Sequence, residues 1–148
     1  MYKRQPIYIR IAEINDSKAI TELSNQLGYK TQNSNIKNRL KNILKNTDNC
    51  VYIAIKNETV IGWIHGFYSL RIESGFFVEI GGLIVDGNFR KQGVGKKLVD
   101  KIIEWSKSKN CSKIRVRCNV IRKESHLFYK NIGFNINKEQ TIFDKLIE

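Results

Sequence analysis

A chain of 148 residues has room for one hydrophobic core of ordinary size and not for two, so its motifs are expected to share one domain spanning residues 1–148. Hydrophobic residues at 41 % and charged residues at 27 % exclude a disordered chain. The formal net charge of +12 brings nucleic acid into view, but the basic residues are scattered rather than gathered in an arm or stripe, which argues against nucleic acid and suits a small polyanion.

The start, MYKRQPIYIR, is basic but is followed by no apolar run long enough for a signal peptide, and no window approaches a membrane span. The expectation is a cytoplasmic protein with no membrane association. Cys50, Cys111 and Cys118 lack C-x-x-C spacing, so they read as buried small apolar residues and not as a disulfide framework or a zinc site.

Residues 7–14, IYIRIAEI, alternate like a half-buried strand. Asn15 and Asp16 supply turn and cap chemistry for a helix through about Leu27, and Ile36, Leu40, Ile43 and Leu44 mark a second helix over 34–45. Residues 50–55 and 60–70 predict a hairpin turning at Lys56 to Thr59. FFVEIGGLIVD, 76–86, predicts a strand buried on both faces, interrupted by one carboxylate and two glycines. Val94, Leu98, Ile102 and Trp105 place a helix from Gly93 to about Lys109. A strand over 113–118, a short helix ending at Gly133 and a last strand at TIFDKLI, 141–147, complete the chain. The order β-α-α-β-β-β-α-β-α-β implies a mixed α/β sheet with an antiparallel front and a βαβ unit.

The segment NFRKQGVGKKL, 88–98, joins the buried strand to a helix start. Glycines before a helix bring unpaired N–H groups and the positive end of the helix dipole toward a ligand, an arrangement suited to phosphate. A Walker A loop needs glycine where Arg90 stands, and the dinucleotide fingerprint needs glycine where Leu98 stands, so neither fits. What remains is Arg90-Lys91-Gln92-Gly93-Val94-Gly95, an Arg-x-x-Gly-x-Gly run after Leu83-Ile84-Val85. Further on, NVIRKESHLFYKNIGF carries Asn119, Phe128, Tyr129, Gly133 and Phe134.

Together these two segments resemble the GCN5-related N-acetyltransferases (GNAT), and WIHGF with VEIGGLIVD is loosely similar to the aminoglycoside-modifying branch. The resemblance implies the acyl-CoA N-acyltransferase fold and direct transfer from acetyl-CoA to a primary amine of a small molecule or peptide. It implies neither a metal nor a covalent intermediate. It assigns the pyrophosphate to Arg90, Lys91, Gln92, Gly93, Val94, Gly95 and Lys96, and the pantetheine arm to the main chain of Leu83, Ile84 and Val85, with Asn119 and Tyr129 also on the cofactor side. It makes Tyr129 the general acid for the departing thiolate, and Glu79 either the base, through water, or a ligand of the cationic acceptor.

Independently of the resemblance, Gly81 and Gly82 suggest a bulge or the close approach of another chain, and a carboxylate at Glu79 in an apolar strand must be paired, hydrated or functional. His65 alternates with Trp63 and Phe67, so it either packs within the strand or lines the acceptor pocket. A non-catalytic acetyl-CoA sensor or scaffold is the alternative, but it has no need of Tyr129 or Glu79. The family's habit of pairing and the edge offered by 141–147 leave a homodimer open.

Overall fold

The computed structural model describes residues 6–148. By its internal contacts the chain forms two compact units, one ending at Val116 and the other running from Arg117 to Glu148.

The first unit is built on a five-stranded sheet in the order β1 (Tyr8–Ile11), β2 (Asn49–Lys56), β3 (Thr59–Arg71), β4 (Gly75–Val85), β5 (Ile114–Val116). The first four strands run antiparallel to their neighbours and β5 runs parallel to β4, because α3 (Val94–Ser108) intervenes as a crossover. The expected hairpin forms by a two-residue turn in which Asn57 and Glu58 are both left-handed, with φ of 51° and 63°. Between β1 and β2 lie α1 (Ser17–Gln26) and α2 (Asn33–Leu44). Asp16 does not cap α1 with its side chain. Its carboxylate accepts from the Glu13 N–H at 2.7 Å and from both terminal nitrogens of Arg10 at 2.9 Å, which ties the helix entrance to β1.

The helices divide between the two faces of the sheet, and strand alternation follows them. Ile20 of α1 and Leu40 of α2 bury against Ala12, Val51, Ile53 and Ile55, with Trp63 at the margin. On the opposite face Val94, Leu98 and Ile102 of α3 are almost wholly buried. Gly62 and Gly66 make room for them: a Cβ on Gly66 would stand 2.8 Å from Ile102 Cδ1, and one on Gly62 would stand 3.2 Å from Leu98 Cδ1. Even-numbered residues from 62 to 66 therefore look toward α3, and Trp63, His65 and Phe67 look toward the side of α1 and α2.

In the second unit α4 (Lys123–Asn131) ends at Gly133, whose φ is 104°, and Phe134 donates its N–H to the Tyr129 carbonyl at 2.9 Å. Two sequence expectations are corrected. The strand predicted over 113–118 is confined to Ile114–Val116, and TIFDKLI forms no strand. Its apolar residues fall in adjacent pairs at 142–143 and 146–147 and do not alternate, so no single pleated face collects them; all four are 75–94 % exposed.

The Trp63 ring lies directly under Gly82, with a Cβ there 2.7 Å from the nearest ring atom. A rigid indole cannot yield as a methyl end does, so Gly82→Ala is expected to destabilise by about 1–3 kcal/mol. Gly87→Ala, in open space, is expected to stay within about 0.5 kcal/mol. Urea unfolding of the two variants measures both.

Candidate active site

The expected break in β4 is present. His65 pairs with Gly82 but Gly66 pairs with Ile80, so Gly81 is an extra residue without a partner, a bulge. It turns both glycines to the His65 face: a Cβ on Gly81 would lie 2.9 Å from His65 Nδ1 and 3.1 Å from Phe67 Cε1. A side chain at Gly81 would run into the imidazole and the Phe67 ring, and one at Gly82 into the Trp63 ring, which explains two adjacent glycines in an otherwise apolar strand.

The other edge of β4 is as informative. β5 pairs only with Val78, Glu79 and Ile80, so from Gly81 to Val85 the strand is paired with β3 alone. Main-chain groups of Leu83, Ile84 and Val85 on the β5 side are therefore open to an extended ligand. The strand leads through Asp86, whose carboxylate accepts from Asn88 N at 2.9 Å, into a 3-10 turn at Gly87–Phe89 and then the basic loop.

In that loop Lys91 and Gly93 are left-handed, with φ of 61° and 79°, and Gly93 stands at the N-cap of α3. The first backbone bond of the helix runs from Lys97 N to Gly93 O at 3.0 Å, and the N–H groups of Gln92 to Lys96 take no acceptor among the described residues. A row of converging N–H groups at the positive end of a fifteen-residue helix is an anion cradle. The Gln92 side chain accepts from Lys56 Nζ at 3.1 Å, and Lys56 also lies over the Phe89 ring, so the β2–β3 hairpin braces the loop. Lys96 pairs with Asp100 at 2.9 Å. Arg90 makes no ion pair among the described residues.

Glu79 is 8 % exposed and lies opposite Phe67 on β3 and Arg115 on β5, so it shares a sheet face with His65. His65 Nε2 is 2.7 Å from Asn49 Oδ1. A carbonyl oxygen there requires the proton on Nε2 and leaves Nδ1 as an acceptor facing the bulge. Burial pushes the His65 pKa below its usual value, which keeps the ring neutral. Glu79, His65 and the bulge thus share one face of the sheet, and the free edge of β4 leads from the bulge to the loop.

Asn119 and Tyr129 belong to the second unit. Asn119 Oδ1 accepts from Ile121 N at 3.1 Å, and its carbonyl accepts from Arg122 N and faces His126 Nε2 at 2.9 Å, so the residue organises the turn before α4. Tyr129 is 9 % exposed and packs edge-on against Phe128 and Phe134. Burial, and secondarily Cys118, pushes its phenol pKa upward, so it stays protonated at neutral pH. Sequence reading missed Asn49, the partner that fixes the imidazole, and Lys56, the brace of the loop; each comes from a strand far along the chain and carries no local signature. Among the described residues no group of three His, Cys, Asp or Glu could hold a metal ion, and no helix is long and apolar enough to cross a membrane.

Comparison with known proteins agrees with this geometry. The model of the Acetyltransferase (GNAT) family matches residues 17–134. The chain is 31 % identical over 136 residues to the glucosamine 6-phosphate N-acetyltransferase of Arabidopsis thaliana, covering 86 % of this chain and 89 % of that one. Its fold matches the aminoglycoside N-acetyltransferase AAC(6')-Iy in complex with CoA with a TM-score of 0.90 at 19 % identity, over 98 % of each chain. The crystal structure of the Arabidopsis thaliana glucosamine-6-phosphate N-acetyltransferase gives a TM-score of 0.81 at 22 % identity, over 95 % of this chain and 99 % of that one. Matched along most of its length by the family model, and by a relative above 30 % identity, the chain belongs to the acetyltransferase (GNAT) family and is an acetyl-CoA-dependent N-acetyltransferase.

Proposed function

We propose that the chain passes the acetyl group of acetyl-CoA directly to the primary amine of an amino sugar, and that both units act as one N-acetyltransferase domain in the cytoplasm. The observation that carries the proposal is the continuous run from the unpaired edge of β4 into the open N-terminus of α3: an extended arm and a diphosphate need these two features in this order. The family match crosses the boundary between the units, which supports a single domain. Amino sugars are favoured because the relatives just described are named for glucosamine 6-phosphate and for aminoglycosides. The cytoplasmic location suits three unpaired cysteines.

In this reading the main chain of Leu83, Ile84 and Val85 holds the pantetheine arm, and the N–H groups from Gln92 to Lys96 cradle the pyrophosphate. Lys91 and Gly93 supply the left-handed turn, Val94 and Gly95 start the helix, and Arg90 adds charge. Asn119 shapes the cofactor side through its turn. Glu79 receives the ammonium of the acceptor and draws its proton through water, with His65 beside it as a neutral acceptor of hydrogen bonds. The amine nitrogen then bonds to the thioester carbon, the carbon–sulfur bond breaks, and the thiolate takes the Tyr129 proton. Direct transfer is supported by the thiols themselves: burial pushes Cys50 up to about 12 and also raises Cys118, so neither is a ready nucleophile at neutral pH.

Loss of the general acid in Tyr129→Phe is expected to lower kcat about 10²-fold while KM for acetyl-CoA changes little, as measured by thiol release. For Glu79→Gln, which keeps the shape but removes the charge, the expectation is a loss of about 10²-fold in kcat/KM on amino sugars. Unchanged kcat/KM on every amine offered would remove Glu79 from the reaction.

A further inference from the structure

Phe77 lies two residues before Glu79 on β4, on the same face of the sheet, and is completely buried. Three cations cover its ring: Arg71 Cζ from the end of β3 at 5.3 Å from the centroid, Lys113 Nζ just before β5 at 5.4 Å, and Arg115 Cζ on β5 at 4.3 Å. The register explains the convergence. Arg115 stands opposite Glu79, Ser69 stands opposite Phe77, and Arg71 is two residues beyond Ser69, so strands on both sides of β4 aim a cation at one phenyl ring.

Each cation gains from the ring quadrupole, but three like charges around one ring repel one another. Among the described residues none of the three makes a salt bridge. The side chains are exposed or half-buried, so their charged ends remain within reach of a ligand. Glu79 stands opposite Arg115 and offsets one of the three charges at most, so the cluster around the ring keeps a positive excess that is complementary to an anion.

We propose that Arg71, Lys113 and Arg115 form an anion subsite for the acceptor, and that the acceptor is an amino sugar carrying a phosphate monoester. Going along this face of β4, the cations come first, then Glu79, then the bulge beside His65. An amine near Glu79 and a phosphate near Phe77 would then occupy neighbouring positions, since two residues of strand advance about 6.6 Å. Two arginines suit bidentate recognition of phosphate oxygens. The net charge of +12 acts in the same direction, attracting an anionic acceptor and repelling a polycation. This assignment rests on the amino-sugar reading for the identity of the acceptor but not for the existence of the subsite.

The test uses the full chain in two assays. In the first, kinetics on an amino sugar and on its phosphate monoester are compared for the wild type, R71Q/K113Q and R115K. The expected wild-type preference for the monoester in kcat/KM is at least tenfold. R71Q/K113Q is expected to raise KM for the monoester about tenfold, leaving kcat within twofold and the unphosphorylated sugar unaffected, while R115K, which keeps the charge but loses the fork, retains part of the preference. In the second assay inorganic phosphate is titrated by 31P NMR with the loop before α3 saturated with CoA; saturable broadening that R71Q/K113Q abolishes supports the subsite. Equal kcat/KM on the two sugars, or broadening that survives in R71Q/K113Q, overturns it. If neither sugar is acetylated but the variant-sensitive broadening is seen, the amino-sugar reading fails and the subsite stands.

Discussion

The site depends on one constraint: β4 must stop pairing with β5 while still pairing with β3. A strand inside a sheet has both edges committed and offers nothing to a ligand. The extra residue at Gly81 breaks the ladder where the β5 pairing ends at Ile80, and the following main chain keeps one edge free. Because the free edge continues toward α3, the groups suited to an extended arm and those suited to a diphosphate are supplied by consecutive backbone. No side chain has to be conserved in position for this to work; two glycines and a helix start are enough. In the proposed reaction the side chains deal with the acceptor.

That division corresponds to the two faces of the sheet. α3 packs against one face and needs Gly62 and Gly66 to come close. The opposite face is covered by α1 and α2 near β1 and β2, where Ile53 and Ile55 are buried, and it carries polar groups farther on, at Asn49, His65 and Glu79. Burying a carboxylate and an imidazole costs stability unless they are partnered. His65 meets that cost through Asn49, and the bond also selects which nitrogen faces the bulge.

Where the signal was local, the sequence revealed it. The loop from Arg90 to Gly95 could be read because left-handed glycine, a strand before it and an apolar helical period after it lie within two dozen residues. The paired glycines announced the bulge for the same reason. Asn49 and the cations around Phe77 could not be read, since they meet across strands whose register no local pattern states. The terminal segment misled because its apolar residues suggested a strand, although strand formation needs a partner edge as well as apolar side chains. Asn119, expected on the cofactor side, uses its side-chain oxygen in the turn that begins α4, a bond that no residue pattern announced.

The central claim, that the free edge of β4 and the start of α3 together hold acetyl-CoA, is tested most directly by thermal unfolding of the purified chain with acetyl-CoA, with CoA and with an adenine nucleotide lacking pantetheine. At about a hundred times its dissociation constant a ligand specific to the native state adds about 2.7 kcal/mol, which raises the midpoint by several degrees in a domain of this size. The account predicts that rise for acetyl-CoA and CoA and a much smaller one for the nucleotide. Equal shifts for all three would mean that the loop binds phosphate but β4 holds no arm, and no shift with acetyl-CoA would contradict the account.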